Sequence, residues 1–325
     1  MKPKIAVTRE IFEEALDVLR GHFEVDSNQD DTPCEGAALA ARLAGKDGAL
    51  ILASDRIDAA IIAACPRLKA VCNIGVGYNN IDVAACTAAG ILVTNTPEVL
   101  NDTTADMAFA LVLAAGRQVA KGDAYVRQGK WQRWRFMEWL GPDVHHATLG
   151  ILGMGRIGQA VARRAKGFEM RVLYHNRHRL PAEAEAACAA GYVGKEELLR
   201  QSDYLVLLLP YSAENHHCIG AAELAQMKPT AWLINIARGG IVDDAALLEC
   251  LRRQGIAGAA LDVFENEPKL NPGFLELDNV VLTPHIGGAS RDTRMKMAML
   301  AAQNLVAALT GGHPPNLLNP QAQRA

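Results

Sequence analysis

Three short stretches of this sequence carry residue types suited to acid–base chemistry, and each follows a run that reads as a buried strand. They are Ile234-Asn235-Ile236-Ala237-Arg238-Gly239-Gly240, Leu261-Asp262-Val263-Phe264-Glu265-Asn266-Glu267-Pro268 and Leu282-Thr283-Pro284-His285-Ile286-Gly287-Gly288. In open α/β sheets ligands sit at the carboxyl ends of the strands, so the three turns are expected to converge on one crevice. Together Arg238, Glu267 and His285 supply a guanidinium, a carboxylate and an imidazole. The first suits a substrate carboxylate, the third can protonate a developing alkoxide, and the second can tune that imidazole. Reduction of a carbonyl asks for this set. Singly, each residue has a plainer explanation: a surface charge after a strand, the start of a loop, a histidine that holds backbone carbonyls.

Such chemistry needs a hydride source, and Gly153-Met154-Gly155-Arg156-Ile157-Gly158 is where a nicotinamide dinucleotide would bind. The apolar run 147–152 precedes it and reads as strand; Gln159–Lys166 follows and reads as helix. In that context Gly153 turns the chain out of the strand, Gly155 leaves room for a pyrophosphate, and Gly158 lets the helix pack on the sheet. The helix N-terminus then faces the phosphates. NAD sites place an acidic residue about 20 positions on, for the ribose 2′-hydroxyl. Here the corresponding strand ends Tyr174-His175-Asn176-Arg177-His178-Arg179, with no acid. Arg177 and Arg179, beside Asn176, would instead favour the 2′-phosphate of NADPH, with NADH as the weaker alternative. The other reading leaves both arginines on a solvated loop.

The elements that must position these residues alternate throughout. Strands are expected at Lys4–Val7, Ala49–Leu52, Leu68–Cys72 and Ile91–Thr94, with helices at Ile11–Arg20, Ile57–Ala64 and Asp82–Ala88. A second series has strands near Arg171–His175, Tyr204–Leu208, Trp232–Ile236, Gly258–Leu261 and Val280–Leu282. Its helices fall near Glu183–Ala190, Lys195–Arg200, Ala221–Gln226 and Asp243–Arg253. Thr103-Thr104-Ala105-Asp106 resembles a capping box and opens what reads as one helix to about Gln128, the longest in the chain and the crossing from one domain to the next. A last helix, about Arg291–Leu309, is expected to return to the first domain. The fold class is therefore α/β with two doubly wound parallel-sheet domains: a Rossmann cofactor domain over 101–286, and a flavodoxin-like substrate domain from 1–100 and 287–325.

Composition narrows the function classes. The 325 residues are half hydrophobic, with a formal net charge of −3 and no basic run, which gives no reason to expect nucleic acid or a membrane surface as partner. Seven scattered cysteines without a C-x-x-C pair point to neither disulfides nor zinc, and with no signal-like segment a cytoplasmic protein is expected. His145-His146 and His216-His217 look like metal pairs, but neighbours on a strand point apart, so no metal is expected.

Over its whole length the sequence resembles the D-isomer-specific 2-hydroxyacid dehydrogenase family, through the Gly153–Gly158 loop and the motifs around Arg238, Glu267 and His285. It looks most like the glyoxylate/hydroxypyruvate reductase branch, which includes 2-ketogluconate reductases. The resemblance implies reduction of a 2-oxo acid to a D-2-hydroxy acid by hydride transfer from the nicotinamide. Arg238 would grip the carboxylate and polarise the carbonyl, and His285 would be the general acid, held protonated by Glu267. Backbone N–H groups of Val76 and Gly77 would complete the carboxylate cradle. Cofactor contacts would come from Thr104, the Gly153–Gly158 loop, Pro210, Ile236, Ala237, Asp262, Gly287 and Gly288. The segment Trp131–Trp139 implies a homodimer, with Trp139 as a contact to a neighbouring subunit's substrate. Related corepressors offer a non-catalytic alternative on the same fold; phosphoglycerate and formate dehydrogenases share it too. The formate enzymes would carry glutamine where Glu267 stands, and the phosphoglycerate enzymes commonly keep an acid at the His175 position.

Overall fold

A computed structural model describes residues 2–323, and its chain divides into two compact units. One runs to Leu100 and resumes at Ala289; the other is Asn101–Gly288.

The first unit comprises β1 (Lys4–Val7), α1 (Glu13–His22), β2 (Glu24–Ser27), α2 (Gly36–Leu43), β3 (Gly48–Ile51), α3 (Ala59–Ala64), β4 (Ala70–Asn73), α4 (Val83–Ala88) and β5 (Leu92–Thr94). Its five strands are all parallel in the order β2-β1-β3-β4-β5, the flavodoxin-like winding. β3 and β4 are buried along their whole length, as a parallel sheet covered on both faces requires. Asp58 and Asp82 cap α3 and α4, each accepting from backbone N–H groups of the first turn.

The second unit begins with α5 (Asn101–Gly116) and α6 (Val119–Arg127), then β6 (Thr148–Leu152), α7 (Arg156–Ala165), β7 (Arg171–His175), α8 (Ala182–Cys188), β8 (Ala190–Tyr192), α9 (Lys195–Gln201) and β9 (Tyr204–Leu207). It continues through α10 (Ala221–Leu224), β10 (Trp232–Asn235), α11 (Asp244–Arg252), β11 (Gly258–Leu261) and β12 (Val280–Leu282). Seven parallel strands lie in the order β12-β11-β10-β9-β6-β7-β8. One apolar cluster joins α5 and α7 to one face; another joins α9, α10 and α11 to the other. The winding reverses between β6 and β9, and the glycine loop leaves β6 at this switch point, where α/β sheets bind ligands. After Gly288 the chain re-enters the first unit as α12 (Arg291–Leu309), capped by Ser290 and packed on α1, β3 and β4.

The single helix expected over Thr103–Gln128 is two. Gln118 takes a left-handed conformation (φ 52°) between α5 and α6. A Cβ on Gly116 would meet the Tyr204 hydroxyl and Val144, so α5 ends in close packing. The capping box is absent as well, because Thr103 and Thr104 already lie inside α5, which starts at Asn101. Nor is this the longest helix among the described residues: α5 has 16 residues and α12 has 19. β2, α2 and β8 were not foreseen. β2 (Glu-Val-Asp-Ser) offers one apolar side chain, and β8 is a three-residue edge strand.

Candidate active site

All strands of the second unit are parallel, so every turn after a strand emerges on one edge. That edge carries the glycine loop after β6, Asn176–Arg179 after β7, Pro210 after β9, Ile236–Arg238 after β10, Glu267 after β11 and His285 after β12. Three chemistry-bearing turns are locked to one another there. Asn235, buried at the end of β10, accepts from Ala237 N–H (3.1 Å) and donates to Arg238 O (3.2 Å), shaping the Arg238 turn. A Cβ on Gly239 would fall 1.8 Å from Phe264 O, so only glycine lets that turn lie against the Glu267 loop. Glu267 accepts from Phe264 N–H through Oε1 (2.8 Å) and meets His285 Nδ1 through Oε2 (2.7 Å).

His285 stands in the left-handed region (φ 53°), a costly conformation for a side chain of its size. Its own N–H donates to Asp262 O (2.9 Å) and Thr283 O (3.1 Å). The buried Asp262 carboxylate gathers the rest of the turn, accepting from Thr283 Oγ1 (2.6 Å), Ile286 N–H (2.8 Å) and Gly287 N–H (2.8 Å). With Nδ1 engaged by Glu267, Nε2 is the ring nitrogen left to meet a ligand.

The charges are interdependent. Burial acts to raise the Glu267 carboxyl, but the hydrogen bond and charge of His285, the Phe264 N–H and the Arg238 charge outweigh it and hold the group below its ordinary value. Any stability it contributes is therefore present above the usual glutamate range and lost only as pH falls through its lowered value. Burial depresses Arg238, against the opposing charge of Glu267. Its guanidinium donates Nη1 to Ala237 O (2.8 Å), its sole protein hydrogen bond among the described residues. The outer donors remain for a ligand.

Behind the Glu267 loop lies a second cluster, which the sequence motifs did not reveal. His217 Nε2 meets Glu265 Oε1, and Glu265 N–H donates to Asp244 (3.1 Å). Burial pushes the Asp244 carboxyl up to about 6; the Glu265 N–H and His217 oppose this, and the charges of Glu265 and Asp243 add to it. A raised carboxyl lets the folded state keep a proton that the unfolded chain loses near 3.8, so stability falls as pH rises from there to about 6 and stays lower above. Asp244→Asn keeps an acceptor for Glu265 N–H without the charge. Its unfolding midpoint relative to the parent protein is expected to be more favourable at pH 8 than at pH 4, by ~1–3 kcal/mol in stability. An equal difference at both pH values, read by thermal denaturation, would refute this.

The glycine loop fits a dinucleotide phosphate. Gly153 has φ 105°, and a Cβ there would strike the Leu208–Leu209 backbone; one on Gly158 would lie 2.6 Å from Gly153 O. Gly155, just before α7, has nothing within 4 Å of its missing Cβ, which leaves open space at a helix N-terminus. Asn176 Oδ1 accepts from Met154 N–H (2.6 Å), tying the loop to the end of β7.

A family model described as D-isomer specific 2-hydroxyacid dehydrogenase, NAD binding domain, matches residues 109–287. Along 98% of its length the chain is 47% identical to the glyoxylate reductase of Thermococcus onnurineus and 49% identical to that of Korarchaeum cryptofilum, covering 96% of each. The NADPH-dependent glyoxylate/hydroxypyruvate reductase of Sinorhizobium meliloti, solved with NADP and malonate, matches with a TM-score of 0.89 at 33% identity, covering both chains completely. The chain belongs to the D-isomer-specific 2-hydroxyacid dehydrogenase family.

Other residues that resemblance to this dehydrogenase family singled out stand as follows. Arg177 and Arg179 do follow β7, but each has an acid beside it, 37 positions away for Arg177 and six for Arg179. Arg177 pairs with Glu214 (3.1 Å), both exposed. Arg179 makes a two-pronged bond to Glu185 (2.8 and 2.9 Å). That contact, joined by the Tyr174 hydroxyl, holds the Glu185 carboxyl down to about 2. Ile236 and Ala237 are buried under the Arg238 turn, Gly287 is buried, Gly288 half-buried and Pro210 exposed. Thr104 is buried in the first turns of α5. Trp139 (φ 63°), itself exposed, stands edge-on to Tyr125 at 5.0 Å. Asp262 is committed to the His285 turn, a loop-shaping role that its place after a strand did not reveal.

In the first unit, Val76 and Gly77 lie on the loop after β4, half-buried. The histidine pairs do not point apart as expected. Both sit in turns rather than strands, and left-handed His146 and His217 bring each pair of rings together, at 5.1 Å for His145–His146 and 3.9 Å for His216–His217. Among the described residues no group of three His, Cys, Asp or Glu is arranged to hold a metal ion.

Proposed function

We propose that this dehydrogenase reduces small 2-oxo acids, with glyoxylate and hydroxypyruvate foremost and 2-ketogluconate a further candidate, to D-2-hydroxy acids, preferring NADPH to NADH. The observation that carries this reading is the His285–Glu267 pair, with Nε2 uncommitted, on the same strand edge as Arg238 and the open Gly155 loop. When bound, the reduced nicotinamide supplies a hydride. His285 delivers the proton from Nε2 to the carbonyl oxygen as it becomes an alkoxide, and Glu267 stabilises the protonated ring through Nδ1. Arg238 holds the carboxylate and polarises the carbonyl with its remaining donors. Val76 and Gly77 offer N–H groups to the same carboxylate. Gly153, Gly155, Arg156, Ile157 and Gly158 would hold the pyrophosphate, with Asn176 bracing the loop and Arg177 and Arg179 meeting the 2′-phosphate.

The test is loss of nicotinamide absorbance with NADPH or NADH against each of the three acids. NADPH oxidation with glyoxylate or hydroxypyruvate supports the reading, and silence with all three acids overturns it. Arg177→Ala is expected to weaken NADPH roughly tenfold, about the worth of one charged hydrogen bond, and NADH much less. Equal losses in the two dissociation constants would remove Arg177 from the phosphate site. In the same reading the chain works as a homodimer. The support is the exposed run Trp131, Trp134, Phe136, Met137 and Leu140, an apolar surface of the kind that marks an interface. Trp139, in that run, is the proposed contact to the neighbouring subunit's substrate. Seven free cysteines fit a cytoplasmic setting, and among the described residues no helix is long and apolar enough to cross a membrane.

A further inference from the structure

The loop after β4 turns three consecutive carbonyls toward the strand ends. Gly75 O accepts from Thr96 N–H (3.0 Å), Val76 O from Asn95 Nδ2 (2.9 Å) and Gly77 O from Asn73 Nδ2 (2.8 Å). All three donors are buried where β4 and β5 finish. These peptide bonds are trans, so each carbonyl and the following N–H point in opposite directions. Gripping the three oxygens therefore aims the N–H groups of Val76, Gly77 and Tyr78 away from the sheet. Among the described residues none of these N–H groups has a hydrogen-bond partner. Consecutive N–H groups on one side of a loop form an anion receptor.

We infer that Asn95 and Asn73 are positioning residues that aim this receptor at the substrate carboxylate, with Tyr78 N–H as a third donor beside those of Val76 and Gly77. The inference rests on the carboxylate-holding role proposed above. Both asparagines are themselves held from behind. Asn73 Oδ1 accepts from Asn80 Nδ2 (3.4 Å), and Asn95 O accepts from Asn304 Nδ2 on α12 (3.2 Å). Asn304 is fully buried and exchanges two bonds with Asn316 (3.2 and 3.1 Å), whose O accepts from Asn95 N–H (3.4 Å). The return of α12 to the first unit thus fixes the receptor before any ligand arrives, which spares the ordering cost of binding. Amides suit this role, since each donates to a carbonyl without placing a negative charge behind an anion site.

A carboxylate held equally before and during reaction contributes to KM and little to kcat. Asn95→Asp turns the donor into an acceptor facing Val76 O; Asn95→Ser is shorter and serves if the first variant does not fold. Either is expected to raise KM for glyoxylate roughly tenfold or more with kcat within about threefold and the cofactor dissociation constant near that of the parent, while the unfolding midpoint falls because a buried carbonyl loses its donor. In 15N-labelled parent protein, titration with oxamate, an unreactive analogue of glyoxylate, should move the amide resonances of Val76, Gly77 and Tyr78. The Gly77 response should shrink in the variants. An unchanged KM in a folded variant overturns the inference. So does an equal loss of kcat and cofactor affinity, which marks a merely structural role. If the parent reduces no 2-oxo acid, the functional reading falls separately; the oxamate titration still decides whether the loop binds a carboxylate, and motionless resonances there overturn the receptor.

Discussion

Replacing His285 by alanine is expected to lower turnover in 2-oxo acid reduction by ~10²–10⁴-fold, the usual worth of a positioned general acid. Cofactor affinity should stay nearly intact, because the phosphate loop after β6 is built from other residues. The turn that carries His285 should also persist. Its left-handed backbone is held by His285 N–H, which alanine retains, and by the three bonds to the Asp262 carboxylate. Steady-state rates and cofactor fluorescence titrations check both halves. Turnover within about threefold of the parent would take His285 out of the proposed proton transfer.

Arg238→Lys is expected to lower kcat/KM by at least ~10²-fold, the scale of losing a donor to a developing oxyanion, although the charge is conserved. Lysine cannot offer paired, coplanar donors to a carboxylate. Arg238→Met should cost more activity still, yet leave the unfolding midpoint equal or higher, because burial already disfavours the guanidinium charge where it stands. Kinetics together with thermal denaturation read both effects. A methionine variant that loses stability along with activity would show Arg238 to be a structural residue.

How much of this was legible in the sequence differs by kind of feature. Arg238, Glu267 and His285 could be grouped because each follows an apolar run, buried in β10 and β11 and half-buried in the edge strand β12, and the ends of parallel strands share one edge by geometry. The glycine loop was legible for a local reason: strand, glycines and helix are contiguous, Gly153 and Gly158 answer close contacts within the same unit, and Gly155 leaves open space. α12 was bounded correctly because its alanine- and methionine-rich run lies between a capping serine and the breakers that follow Leu309.

What the sequence could not display are partners brought together from far along the chain. Local helix signals run on past Gly116, yet the chain breaks at left-handed Gln118, just after Gly116 packs against Val144 and Tyr204 of β9. The stretch after β7 shows arginines without an acid, yet folding sets Glu214 beside Arg177 from 37 positions away. Asp262 stands after a strand like any ligand-facing carboxylate, but the three donors it meets lie 21 to 25 residues downstream. Asn95 is tied to Asn304, 209 positions away, through the return of α12. Residue types and the order of apolar runs therefore determined which acid, imidazole and guanidinium groups this chain carries and on which strand edge they stand. Tertiary structure decided which polar groups are already committed to the backbone and which are left to meet a ligand, because a hydrogen bond depends on distance in space and not along the chain.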